Sequence, residues 1–114
     1  MTKDTRQFML TAAWLFVAHG KSRRARVLME ALVEDDPRDG VSAAALAELL
    51  LADGEGENAL SVLQMADFPA ELARAEAILE TRALAMVGRK TESERRWKRY
   101  LESRKGAERN WVEE

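Results

Sequence analysis

No cysteine occurs in the 114 residues of this chain, so neither a disulfide framework nor thiol chemistry is open to it. The single histidine, His19, cannot build a zinc site without cysteine partners, and no Gly-rich loop of the phosphate-binding kind follows a strand. Acidic clusters at Asp35-Asp36 and Asp53-Gly54-Glu55-Gly56-Glu57 lack the alternating ligand spacing of a calcium loop and read as turns. No Ser-His-acid arrangement emerges. β-Branched residues are scarce and do not alternate with polar ones over more than a few positions, which argues against strands. Apolar runs stay well short of the ~20 residues of a membrane span. The opening Met-Thr-Lys-Asp lacks the apolar stretch of a secretory signal. These absences predict a cytoplasmic, non-enzymatic protein with no cofactor, no metal and no membrane insertion.

What the chain has instead is helix-forming sequence punctuated in register. Apolar residues make up 46% of it, enough for one small domain to cover a core, and only two prolines interrupt it. Gly20, Gly54 and Gly88 stand 34 residues apart, each closing an apolar stretch. The register recurs elsewhere. Five residues after each glycine comes a small side chain (Ala25, Ala59, Ser93), seven before it another (Ala13, Ala47, Thr81), and four before it a large apolar one (Phe16, Leu50, Leu84). Met29, Leu63 and Trp97 stand nine residues after. Glycine ends helices because it accepts the left-handed conformation that side chains resist, and small residues let paired helices approach closely.

Helical spacing and capping residues predict six helices. They run from about Asp4 to His19, Ser22 to Asp35, Ser42 to Ala52, Glu57 to Ala66, Ala70 to Val87, and from near Thr91 with Gly106 as the expected end. Thr2 or Asp4 caps the first and Ser22 the second, while His19 meets the last carbonyls of the first. Pro37 stops the second helix, and Pro69, two residues early in the register, clips the fourth. Trp111 and Val112 predict that the tail docks on the body. Residues 34 to 80 hold twelve acids against Arg38 and Arg74, and residues 82 to 109 hold ten bases against four acids, a polarity able to steer a partner. The run Arg95 to Tyr100 mixes bases with aromatics as nucleic-acid binders do. Trp97 and Tyr100 nevertheless fall at core positions, so no nucleic acid is expected.

The register of Gly20, Gly54 and Gly88 resembles that of tetratricopeptide repeats. The resemblance implies an all-α fold of three degenerate repeats, at about 6–39, 40–73 and 74–107 with a short C-terminal segment after them, in a single domain 1–114. It implies a right-handed superhelix whose concave groove is lined by the first helix of each repeat. The groove positions here are Leu10, Trp14 and Val17, then Ala44, Glu48 and Leu51, then Ile78, Arg82 and Ala85. Most are apolar, and the Lys, Arg and Asn set that would clamp a peptide carboxylate is missing. Such a groove suits an amphipathic helix, with Glu48 and Arg82 as charges for register.

In architecture the whole chain resembles the small cytosolic chaperones of bacterial type III secretion systems that hold the needle subunit. The likeness rests on the glycine register, Ala25, Ala59, Pro37 and the apolar groove. It implies a non-catalytic chaperone in the bacterial cytoplasm that covers an amphipathic helix of an aggregation-prone client, helped by a small helical co-chaperone. Two other readings stay open: a generic repeat scaffold for protein-protein interaction, and a homodimer whose grooves occlude each other, since exposed apolar strips of this size are rarely left bare.

Overall fold

The computed structural model describes residues 1–113, with side chains placed through Ala107. Six α-helices run in order: α1 (Lys3–Ala18), α2 (Ser22–Asp35), α3 (Gly40–Ala52), α4 (Gly56–Met65), α5 (Ala73–Met86) and α6 (Lys90–Glu113), with a short 3-10 turn at Ala70–Leu72. Among the described residues there is no strand, only an isolated bridge between Asp39 and Asp67.

Gly20, Gly54 and Gly88 have φ of 73°, 76° and 84°, the left-handed region that glycine enters without steric cost. Their amides donate to Val17, Leu51 and Ala85 at 3.0, 3.0 and 3.1 Å. The next residue in each case donates to Phe16, Leu50 and Leu84, at 2.7, 2.8 and 2.9 Å. This double closure satisfies carbonyls that a helix end leaves orphaned. One chain reversal is thus built three times, and it joins α1 to α2, α3 to α4 and α5 to α6 as packed pairs. The pairs join through α2 on α3 and α4 on α5, and α3 also packs directly on α5.

Small residues sit at the pair interfaces, as the register requires. Ala13, Ala25, Ala47 and Ala59 are wholly buried and Ser93 nearly so. In the third pair Thr81 and Ser93 replace two alanines, and the Ser93 hydroxyl donates to the Thr81 carbonyl at 2.7 Å. Around them Met29, Leu32, Leu50, Leu60, Leu63, Leu79 and Leu84 form the core. Each side chain of that size contributes about 1.5–3 kcal/mol when fully removed from water.

The Pro37 and Pro69 connections meet on each other. Asp67 N–H donates to the Arg38 carbonyl at 2.9 Å, and Arg38 Nε donates to the Asp67 carboxylate at 2.8 Å. Gly40 lies beneath them, where a Cβ would stand 2.8 Å from the Asp67 carbonyl oxygen and 3.1 Å from the Phe68 ring. Helix α4 has 10 residues against 14 in α2, the clipping expected from Pro69.

Three local expectations are corrected. Ser22 does not cap α2, because the Lys21 amide is used to close α1 and the chain enters the next helix at once. Helix α3 starts two residues before Ser42, since the Asp39 carboxylate accepts from the Val41 amide and acts as cap. Helix α6 continues through Gly106, whose flanking Arg, Lys, Ala and Glu are strong helix formers that outweigh a glycine penalty of about 1 kcal/mol. Thr2 does cap α1, accepting from the Thr5 amide at 3.1 Å, and His19 Nδ1 lies 2.8 Å from the Leu15 carbonyl. The expectation on Trp111 and Val112 falls outside the described side chains.

Candidate functional site

Trp14, Glu48 and Arg82 occupy equivalent positions on α1, α3 and α5. The structure brings the last two together: Arg82 Nη1 donates to Glu48 Oε2 at 2.7 Å, with both side chains about half exposed. These charges neutralise each other across the α3–α5 contact rather than standing free to register a partner. Trp14 has no such counterpart and is 49% exposed. Leu10, Val17 and Ala44 are half-buried against the core, Ile78 is half-buried, and Ala85 is exposed. Leu51 departs from the set. It is only 3% exposed, because α3 has helices on both sides and its equivalents Val17 and Ala85 do not. A partner on this face therefore cannot touch Leu51.

Val41, 43% exposed, belongs to the face although the repeat register does not mark it. Its signal is helical spacing three residues before Ala44, hidden because capping residues alone put the helix start at Ser42. With Leu10 it lines a cavity of about 340 Å³ between α1, the end of α2 and the start of α3, shared with Lys3, Arg6, Gln7, Leu32, Asp36, Asp39 and Ser42.

Arg6 is the other residue that sequence reasoning passes over. Its Nη1 donates to the Leu32 carbonyl at 3.2 Å and to Asp35 at 2.7 Å, and its Nη2 donates to Asp39 at 2.8 Å and Ser42 Oγ at 3.4 Å. Burial works to raise the Asp39 pKa, but the Ser42 hydroxyl, Arg6 and the Val41 amide outweigh it and hold it below the usual carboxylate value. Arg26 makes a second clasp, donating to Glu30 at 2.6 Å, to Asp53 at 2.9 Å and to both oxygens of Glu55. Those hydrogen bonds from Arg26, aided by Asn58, lower the Glu55 pKa. Arg96 reaches Glu80 at 2.9 Å. Much of the acid excess of residues 34 to 80 is therefore met by arginines from neighbouring helices. It fastens the seams of the fold more than it projects a field.

In the basic run of α6, Trp97 and Tyr100 are half-buried and lie with ring centroids 5.3 Å apart. Among the described residues no group of His, Cys, Asp and Glu side chains could hold a metal ion, and no helix is long and apolar enough to cross a membrane. The face of α1, α3 and α5 thus offers apolar surface, one internal ion pair and a walled cavity, the means for recognition by burial. Set against models of known protein families and against curated proteins, the sequence matches none.

Proposed function

We propose that the protein is a non-catalytic chaperone whose α1, α3 and α5 form the concave face of three tetratricopeptide-like repeats, a right-handed superhelix that covers an amphipathic helix of its client. One observation carries this reading. The same helix-closing pair of hydrogen bonds recurs every 34 residues, which gives α1, α3 and α5 equivalent faces, and on that face Trp14, Val41 and half-buried Leu10, Ala44 and Ile78 meet solvent. A preformed apolar face sequesters an aggregation-prone helix without chemistry, at the cost only of ordering the client.

The client class that best suits a small array of this kind is the needle subunit of a type III secretion system, held in the bacterial cytoplasm until export, with a small helical co-chaperone as the further partner. The experiment is co-purification with the needle subunit of the host's own system. Trp14→Asp and Ala85→Asp should each lose the client while circular dichroism stays that of the parent, because a charge at an exposed position of the face must be desolvated only on binding. Retention of the needle subunit by both variants would move binding off this face, and a client without an amphipathic helix would end the needle-chaperone reading.

A further inference from the structure

Among the described residues α1 has no helix before it, whereas α3 packs on α2 and α5 packs on α4. On α3 the residues 34 after Phe8, Thr11 and Leu15 are Ser42 and Ala45, both buried, and Leu49, half-buried. On α5 they are Glu76, half-buried, then Leu79 and Ala83, both buried. On α1 itself these positions face solvent, with Phe8 74% and Leu15 57% exposed. Asp4, Phe8, Thr11, Leu15 and His19 recur every three or four residues and are all exposed, so they form one stripe on the side of α1 away from buried Ala13. A repeat array needs a polar outer face at its ends, and here two large apolar side chains stand there instead.

We propose that this stripe is covered by the same stripe of a second copy, two α1 helices crossing antiparallel about a two-fold axis at Thr11 and Ala12. The stripe is complementary to itself. Paired about that axis, Phe8 of one protomer meets Leu15 of its partner and Leu15 meets Phe8, while small Thr11 and Ala12 stand at the crossing and let the helices approach. Asp4 then meets the far end of the partner's α1, at His19 and Lys21. Asp4 and Lys21 are exposed, and no ion pair within the described residues engages either, so the charges are there to match across the axis. A two-fold contact closes on itself. The alternative mate at the other end of the array is α6, but Arg95, Lys98 and Arg99 are exposed along it, and Lys21, Arg23 and Arg24 flank the α1 stripe. Like charges would oppose that union. A contact of one helix on one helix is small, so the dimer forms and dissociates with concentration. The stripe is separate from the concave positions Leu10, Trp14 and Val17, and the inference does not depend on the client reading.

The test is sedimentation velocity of the full chain from about 10 μM to about 1 mM. Expected is a reversible equilibrium of monomer and dimer that stops at the dimer. Phe8→Lys and Leu15→Asp, both at exposed positions, should each weaken it by about tenfold or more with circular dichroism unchanged. Mixed in equal amounts the two variants should pair again, because the antiparallel register sets the new cation of one against the new carboxylate of the other. Ala85→Asp, on the concave face, should leave the dimer intact. Growth beyond the dimer, a dimer that survives both α1 variants, a dimer that Ala85→Asp abolishes, or failure of the mixture to pair would each overturn the proposal. A monomer at every concentration would overturn it too and leave the stripe to a different chain.

Discussion

The two seams that join the three helix pairs share one apolar core and differ in what equivalent positions add to it. At the first, Arg26 of α2 reaches across to Asp53 and Glu55 in the α3–α4 turn. At the second, the residue equivalent to Arg26 is Leu60, 4% exposed, and those equivalent to the two acids are Val87 and Arg89. Arg6 at the start of α1 is answered by Gly40 at the start of α3. Both seams run through the same apolar core, to which the first adds part-exposed arginine clasps and the second adds the backbone contact at Gly40 and the Glu48–Arg82 ion pair. Charged clasps that remain part-exposed are screened and contribute modestly, whereas apolar burial is insensitive to salt and costly to undo. One register can therefore add different fastenings to one core at its two seams.

Truncation at the second seam should have the largest effect. Leu60→Ala is expected to destabilise by about 2–5 kcal/mol, read by urea unfolding, because it leaves a cavity the neighbours cannot fill. A loss below that of Arg26→Ala would invert the comparison. Next comes Gly40→Ala, for which the new Cβ meets backbone at 2.8 Å; the cost should be about 1–3 kcal/mol even though alanine is the better helix former. A variant that melts above the parent would mean that the α4–α5 connection shifts freely.

The smallest effect belongs to the first seam. Arg26→Ala should lower the melting temperature less than Leu60→Ala, and the difference from the parent should shrink in high salt. Acidity probes the same seam. Asp39 and Glu55 both lie below their ordinary values of 3.8 and 4.5 in the folded chain, so their contribution is present above those values and is lost as pH falls through the depressed ones. Melting followed from pH 6 down to about pH 2 should show the loss confined to the acid side of roughly pH 4.5, and weaker in Arg26→Ala. An equal slope in parent and variant would remove the clasp from the account.

Part of the fold is legible in the residues themselves. The three glycines announce their conformation because no other residue enters the left-handed region cheaply, and the small residues at fixed offsets announce where helices must touch. Helix ends set by a side chain outside the apolar pattern are harder to place. Asp39 moves the start of α3 ahead of Ser42, and Val41 joins the exposed face with it. Arg6 gives no periodic signal, since an arginine in an amphipathic helix reads as solvated surface until its acceptors from α2 and α3 are in place.

What the sequence alone determined is local and translational: where each helix closes, which positions are equivalent across 34 residues, and that the chain is helical. Only the tertiary structure decided what those equivalent positions do. Val17, Leu51 and Ala85 share one register, yet the middle one is buried. Trp14, Glu48 and Arg82 share another, yet two of them satisfy each other and the third faces water. Register is written by backbone closure within a few residues, whereas exposure depends on how many neighbours surround a helix, and α3 alone has another helix pair on each side.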